Sequence, residues 1–394
     1  MKPISRSGTL AIACGIFLAL GLLVAALGPA LPDLAQNAGS TLAALGAVYT
    51  ALFSGAFLAQ LVVGPLSDRL GQRPLVVAGM VLIGAGMFGI SLSGSLTLTL
   101  ACAAVAGLGH GTLIVVMHVL IAQLFSTGSV SALNLINVFF GVGAVSGPAL
   151  AGLALQRWET ALPVLWFGGG LLLAQLALVP LMATGSLPAR AAGVAPQQIQ
   201  IYKIPALWLL GILLFVYIGL ESGVGGWTTA YLERSAGLTK ASAAWAASGF
   251  WLALTGGRVA GAIIGTRMPP TRLLQISVAG SLAGGLAFAL GSGNGPISIG
   301  AILLMGFCFG PVFPTTVSLT TASFPQAQGS ATSLVVAIGN TGGIVLPWLL
   351  GFLLERSPQA SALLVLACAI ALAAILALYT LLRSHRPTAQ PNVA

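Results

Sequence analysis

Ionisable side chains lie inside several long apolar stretches of this sequence, where a charge is expensive and usually functional. Glu221 is the only carboxylate well inside such a stretch, His110 lies between two glycines, and Arg258 interrupts another stretch. A carboxylate in a low-dielectric environment and an imidazole can both bind and release protons near neutral pH. We therefore predict that Glu221 and His110 carry protons or another cation. For each residue, a hydrogen bond to a neighbouring helix is the alternative.

Amide, imidazole and aromatic side chains in the same stretches are candidates for binding a polar solute. Such groups can donate to, accept from or stack on a ligand. Amides also join helices in membranes, however, and aromatic rings favour the membrane interface. The predicted substrate site is drawn from Gln60, His118, Asn134, Asn137, Tyr217, Trp227, Trp251 and Asn340. Asp33, which follows Leu31-Pro32, is predicted to lie at a helix end or in a loop.

The elements that must position these residues are membrane-spanning helices. Of the 394 residues, 57% are apolar and only 5% are charged, whereas an average soluble domain has about 25% charged residues. This composition excludes a soluble enzyme, a nucleic-acid-binding protein and a disordered chain. Twelve apolar runs, from residues 8–31 to residues 360–382, are long enough for helices that cross a bilayer. The predicted fold class is an all-α membrane protein with twelve transmembrane helices in two pseudo-symmetric six-helix bundles.

A polar stretch between the sixth and seventh runs divides the chain into halves. Residues 1–182 are predicted to form an N-terminal six-helix bundle and residues 183–204 a cytoplasmic linker. Residues 205–394 are predicted to form a C-terminal six-helix bundle with a short tail. A shift of 199 residues superimposes packing residues of the halves: Gly107 on Gly306, Phe125 on Phe324, Gly143 on Gly342 and Pro148 on Pro347. Such a repeat is typical of transporters with a central binding site.

The distribution of positive charge predicts the orientation in the membrane. Ten of the Lys and Arg residues fall on the side that holds the chain termini, four fall on the other side, and Arg258 lies within a span. Cytoplasmic loops carry the excess of Lys and Arg. We therefore expect a multi-pass protein of the cell (inner) membrane with both termini in the cytoplasm.

The segment between the second and third spans reads Gly64-Pro65-Leu66-Ser67-Asp68-Arg69-Leu70-Gly71-Gln72-Arg73-Pro74. It resembles the signature of the major facilitator superfamily, Gly-x-Leu-Ala/Ser-Asp-Arg-x-Gly-x-Arg/Lys. In that family this loop holds the two halves together on the cytoplasmic side and releases them as the cavity opens inward. The resemblance implies the following gating residues: Gly64, Asp68, Arg69, Gly71, Arg73 and, at the corresponding place in the second half, Arg258.

Within the family, the stretch from Tyr217 to Trp227 resembles the branch that includes the fucose and glucose/galactose proton symporters. That branch carries acids in its first and fourth spans, where this sequence has Gly28 and Thr112, and neither residue can carry a proton. The resemblance implies secondary transport of a small polar, sugar-like solute by alternating access, in symport with protons. Sodium is the alternative coupling ion.

Two further functions remain open in the sequence. The stretch from Gly143 to Gly152 is similar to the fifth-span pattern of drug/proton antiporters, which makes export of hydrophobic or cationic compounds the main alternative. The second alternative is a sensor that has the same fold but does not transport. No phosphate-binding loop, metal-ligand spacing or nucleophile–base set is present, so we expect no enzyme activity, cofactor or metal. The expected partners are a small-molecule substrate, a proton or sodium ion and the lipid bilayer, without nucleic acid, for a monomeric protein.

Overall fold

The computed structural model describes residues 5–125, 129–183, 203–265, 267–324 and 328–384. Fourteen α-helices lie within these ranges: α1 Arg6–Asn37, α2 Leu42–Leu45, α3 Ala47–Leu70, α4 Gln72–Leu92, α5 Leu96–Leu124, α6 Ser129–Trp158, α7 Leu162–Ala174, α8 Pro205–Ala236, α9 Lys240–Gly265, α10 Pro270–Leu290, α11 Gly295–Phe309, α12 Val312–Ser323, α13 Gln328–Arg356 and α14 Pro358–Ser384. The predicted linker lies outside the described residues apart from positions 183, 203 and 204.

Twelve segments of the described chain are long and apolar enough to cross a membrane. Helices α2 and α3 form the second span. Helix α7 and a following 3-10 helix form the sixth, and α11 with α12 forms the tenth. The predicted fold class is thereby confirmed.

Local sequence signals determine where several helices begin and end. Pro205 and Pro270 lie in the first turns of α8 and α10, where a missing N–H removes no helical hydrogen bond. The Asn294 side chain accepts a hydrogen bond from the Ile297 N–H at 3.2 Å and so caps α11. Helix α8 ends at Gly237, whose φ of +64° is strained for residues with a side chain.

The sixth and tenth spans, each predicted as one helix, are interrupted. After Ala174 the sixth span continues as a 3-10 helix, Gln175–Leu181, which contains Pro180. The tenth span is interrupted at Gly310 and Pro311, between α11 and α12. Proline lacks an N–H and its ring clashes with the preceding turn, which favours such interruptions. Proline alone does not decide them, because α1, α6 and α13 continue through Pro29 and Pro32, Pro148 and Pro347.

Helices α1–α7 pack mainly on one another, and so do helices α8–α14. In the first bundle α1 packs on α6, and α5 packs on α3 and α4. In the second bundle α8 packs on α13, and α11 packs on α9 and α10. The bundles meet mainly along α6 with α9, α3 with α13 and α1 with α8, with further contacts of α2 with α13 and of α1 with α9. The region that the bundles share is therefore walled by spans from both halves.

Repeated residues make equivalent contacts in the two bundles. A Cβ on Gly143 would overlap a backbone carbonyl oxygen of α1, and a Cβ on Gly342 would overlap one of α8. Each glycine therefore allows two helix backbones to approach closely. Phe125 and Phe324 also end their helices with nearly the same backbone angles, φ −115° and ψ 63° against φ −129° and ψ 62°. These contacts support the predicted pseudo-symmetry.

Replacing Gly143 by alanine is expected to lower the melting temperature of the purified protein by several degrees. The added methyl group has no space against α1, and overpacking of this kind typically costs about 1–3 kcal/mol. Gly170→Ala in α7 is the matched control, because no described atom lies within 4 Å of its added Cβ. Equal melting temperatures for the two variants would contradict the close approach of α1 and α6.

Candidate functional site

Glu221 lies near the middle of α8 and forms an ion pair with Arg258 of α9. The Arg258 Nη2 atom is 3.0 Å from Glu221 Oε1. The Arg258 side chain is 33% exposed and the Glu221 side chain is 15% exposed. The opposite charges reduce the cost of holding either group inside a membrane. Both residues belong to the second bundle, so this pair does not itself join the bundles.

Tyr217 lies one helical turn before Glu221, and the three residues make up what we call the charged cluster: Tyr217, Glu221 and Arg258. The Tyr217 hydroxyl is buried, interacts electrostatically with both charges and makes no well-formed hydrogen bond. Its ring packs edge-on against Phe309 of α11, with 5.9 Å between the ring centroids. The ring is thus held in the second bundle, while the hydroxyl remains available to the ion pair or to a ligand.

A cavity between the bundles lies next to the charged cluster. It has a volume of about 30 Å³ and walls from α1, α3, α8 and α9. Ser222, which directly follows Glu221, lines it. A solute in this cavity would lie close to the only ion pair that we find between α8 and α9 in the described structure.

The two tryptophans predicted for the substrate site have different surroundings. Trp251 lines the cavity, and its indole N–H has no partner among the described residues. The Trp227 N–H instead donates to the Pro347 carbonyl oxygen at 2.7 Å. Trp227 is only 3% exposed and holds α8 to α13 within the second bundle. The structure therefore brings Trp251, but not Trp227, to the cavity between the bundles.

Gln60 and Asn340, both predicted for the substrate site, bridge the two bundles. The Asn340 side-chain N–H donates to Gln60 Oε1 at 3.0 Å, which joins α13 to α3. Further along the same pair of helices, the Thr50 hydroxyl donates to the Ile344 carbonyl oxygen at 2.8 Å. In this arrangement the Asn340 N–H and the Gln60 oxygen are paired with each other, so a ligand would have to compete for these two groups.

His118 and Asn137 lie together in the first bundle. His118 Nδ1 donates to the Ile114 carbonyl oxygen at 2.7 Å, and its other ring nitrogen lies 3.4 Å from the Asn137 amide nitrogen. Asn137 also donates to the Leu133 carbonyl oxygen at 2.8 Å, and its side chain is exposed. The side chain of Asn134 is outside the described part of the structure.

His110 is separated from the charged cluster. Its two ring nitrogens are buried and have no partner among the described residues. The neighbouring Gly109 and Gly111 pack closely against the backbones of α4 and α3, which fixes this part of α5 inside the first bundle. No described contact links His110 to Glu221, and its role as a proton carrier stays a prediction.

The signature segment forms the end of α3 and the start of α4, and Gly71 alone lies between the two helices. Gly71 ends α3 at a φ of +76°, a backbone conformation that favours glycine. Arg73 donates to the Met182 carbonyl oxygen from both Nε, at 3.1 Å, and Nη2. It therefore satisfies a carbonyl at the end of the sixth span, within the first bundle. The side chains of Asp68 and Arg69 and the surroundings of Gly64 lie outside the described structure, so the predicted contact between halves remains a prediction.

An ion pair that the sequence did not predict joins the bundles at one membrane face. Helix α1 begins and α14 ends at one face, the termini face, and Asp33 and Lys240 lie at the opposite face. Lys240 Nζ is 3.3 Å from Asp33 Oδ1. Asp33 lies inside α1, is 7% exposed, and also accepts from the Ala161 N–H at 2.7 Å and the Thr160 hydroxyl at 3.0 Å. The bundles are thus connected at the opposite face.

Local preferences do not explain the position of Lys240. It is the first residue of α9, and a positive charge at a helix N-terminus is unfavourable because the helix dipole is positive there. The carboxylate of Asp33 compensates that charge across the bundle interface. A lysine at a helix start was the available sequence signal, but nothing in the sequence identified Asp33 as its partner.

Two bundles of membrane-spanning helices with a cavity between them are the architecture typical of secondary transporters. The model of the Major Facilitator Superfamily matches residues 12–347 and 237–394. The chain belongs to this superfamily and is a transporter rather than an enzyme. The predicted resemblance is confirmed at the level of the family.

The similar proteins include transporters for different solutes. Sodium-dependent glucose transporter 1 of Danio rerio is 24% identical over 378 residues, which cover 86% of this chain and 63% of that protein. Probable nitrate/nitrite transporter NarK2 of Mycobacterium tuberculosis is 25% identical over 362 residues, which cover 87% of each chain. This chain thus spans less than two thirds of the length of the glucose transporter.

Solved structures of two transporters share the fold. The nucleoside transporter NupG has a TM-score of 0.81 at 13% identity, covering 95% of this chain and 99% of that one. The fucose:proton symporter FucP of E. coli has a TM-score of 0.65 at 18% identity, covering 97% of this chain and 100% of that one. At these identities the likeness is one of fold.

Proposed function

We propose that the protein moves a small, neutral, sugar-like solute across the cell membrane in symport with protons, by alternating access. The observation that carries this proposal is the ion pair between Glu221 and Arg258, which lies beside the cavity between the bundles. The relatives named for glucose and fucose transport support the substrate class.

The ion pair offers a way to couple a proton to the solute. When Glu221 is ionised, its carboxylate holds Arg258 and the pair is electrically neutral. A proton on Glu221 removes the attraction, so Arg258 becomes free to turn towards water or a bound solute. The guanidinium group presents five donors, which suit the oxygens of a hydroxyl-rich ligand. Proton and solute binding therefore favour each other.

The donor chemistry of Arg258 favours a proton over sodium as the coupling ion. The guanidinium group opposes any cation at Glu221, because it stabilises the ionised carboxylate. A proton needs a single carboxylate oxygen, whereas a sodium ion needs several oxygen ligands, and Arg258 offers only donors. Because Glu221 is already paired with Arg258, it is also not a free counter-ion for a cationic drug. These two points support sugar symport over sodium coupling and over drug export.

Alternating access would use the contacts between bundles at the opposite face. With both termini in the cytoplasm, the pair of Asp33 and Lys240 would close the outer side. The hydrogen bonds between α3 and α13 extend this closure towards the middle of the membrane. Breaking them would open the cavity outward. The arrangement described here corresponds to a carrier that is closed to the outside.

Counterflow in liposomes tests the substrate class without any ion gradient. Purified protein would be reconstituted in vesicles loaded with an unlabelled solute, and uptake of the same labelled solute would be followed. The panel comprises D-glucose, D-galactose, D-xylose, L-fucose and the lipophilic cation tetraphenylphosphonium. We expect counterflow of at least one sugar and none of the cation. Counterflow of the cation alone would contradict the proposal and favour export.

A further inference from the structure

Two hydrogen-bond donors in the cavity between the bundles are buried and unpaired. The Tyr49 hydroxyl and the Trp251 indole N–H have no partner among the described residues, and the side chains are 3% and 9% exposed. A buried donor without a partner is unfavourable in an empty protein. Tyr49 comes from α3 in the first bundle and Trp251 from α9 in the second, so each bundle contributes one donor.

Consecutive glycines of α8 create the space for these two side chains. A Cβ on Gly226 would lie 2.6 Å from the Tyr49 hydroxyl oxygen, and a Cβ on Gly225 would lie 2.9 Å from a ring carbon of Trp251. Any larger residue at either position would push an aromatic ring away. The two donors can approach the same cavity because α8 has no side chains there.

We propose that Tyr49 and Trp251 determine the specificity of the carrier by donating hydrogen bonds to two oxygens of a neutral monosaccharide. This inference rests on the proposed function. The rest of the cavity wall is mainly apolar, including Val24, Ala25 and Phe53, and suits the apolar face of a sugar ring. No charged side chain is among the described lining residues, which disfavours a charged ligand.

The cavity is narrow in this arrangement. Its volume of about 30 Å³ has room for only a few water molecules. A sugar ring would therefore enter only when the bundles move apart. Specificity would come from two donors, one on each bundle, that a bound sugar ring satisfies together.

Tyr49→Phe and Trp251→Phe test the two donors while keeping an aromatic ring. With the panel sugar that gives the fastest counterflow, each variant should raise the half-saturation concentration about tenfold, the loss expected for one hydrogen bond. Tyr231→Phe is the control, because it removes a hydroxyl that is already paired with Ser292 at 3.1 Å in the second bundle. Its half-saturation concentration should equal that of the wild type.

Heat stability separates a ligand-binding hydroxyl from a structural one. Without sugar, the Tyr49→Phe protein should melt at or above the wild-type temperature, because the change removes an unpaired buried group. A lower melting temperature with unchanged half-saturation would overturn the inference.

Deoxy analogues of the same sugar identify the bonded oxygen. The analogue that lacks the oxygen bound by Tyr49 should have the same half-saturation concentration in wild type and Tyr49→Phe, because both changes remove one shared contact. If wild type transports sugars and neither variant changes its affinity for any analogue, this inference fails alone. If wild type transports no panel sugar, the proposed function fails with it.

Discussion

Replacing Glu221 by glutamine is expected to abolish sugar-driven proton uptake while sugar counterflow continues. Glutamine has the shape of a protonated glutamate but cannot release a proton, so the carrier would stay permanently in its proton-loaded form. In liposomes, the variant should exchange labelled sugar at a rate similar to wild type, and a lumenal pH dye should report no more acidification than in protein-free vesicles. Proton uptake that survives in this variant would remove Glu221 from the coupling mechanism.

Arg258 provides the control for that experiment, because the two side chains form one ion pair. Breaking a buried pair by removing one partner costs about 3–5 kcal/mol, and partial exposure of Arg258 reduces the expected loss to about 1–3 kcal/mol. Arg258→Gln should therefore melt at a lower temperature than wild type. The double variant with Glu221→Gln should recover much of that loss, since no unpaired charge remains. Additive losses would show that the pair is not coupled.

Replacing Lys240 by methionine is expected to open the face opposite the termini more often. Asp33 keeps its hydrogen bonds to Thr160 and Ala161, so the start of α7 stays anchored while the contact between bundles is lost. Lys240 is 35% exposed, so the pair should contribute about 1 kcal/mol, equivalent to a roughly fivefold change in the closed-to-open ratio.

The rate of cysteine labelling measures this opening. In a variant without the native cysteines, Ser222→Cys would place a thiol in the cavity. A membrane-impermeant maleimide added from the opposite face should then react several times faster when Lys240→Met is present. Arg157→Met is the control, because it removes a positive charge from the last turn of α6 without breaking the pair of Asp33 and Lys240. Equal labelling rates in both backgrounds would show that Lys240 does not hold that face closed.

Much of the fold could be predicted from the sequence because its determinants are local. Apolar runs long enough to span a bilayer need no tertiary contact to be recognised, and the glycines at positions 143 and 342 revealed the repeat by their spacing. The breaks at Pro180 and Pro311 were also visible as prolines. Their effect on the helices depended on the surrounding turns and was not predicted.

The site could be predicted only in part, because its pairs depend on how helices face one another. Glu221 and Arg258 were each recognised as charges within spans, but their pairing follows from the packing of α8 on α9. Asp33 and Lys240 are 207 residues apart in sequence, and no periodic pattern links them. Tyr49 was missed because an unpaired hydroxyl is recognisable only once its neighbours are known.

Trp227 and Trp251 also could not be assigned to different surroundings from the sequence. Both are aromatic residues in adjacent spans, and the sequence offered no reason to separate them. The structure pairs the Trp227 indole with the Pro347 carbonyl and leaves the Trp251 indole unpaired in the cavity. The two tryptophans differ because they lie on helix faces with different neighbours, and only the structure shows which face meets the partner bundle.

The lumenal pH of liposomes on addition of a sugar tests proton-coupled sugar transport most directly. Vesicles with a trapped pH-sensitive dye would receive each panel sugar without an imposed gradient, in sodium buffer and again with choline in place of sodium. We predict acidification by at least one sugar, equal in both buffers and absent in Glu221→Gln. Sugar uptake that requires sodium and leaves the lumenal pH unchanged would contradict proton symport.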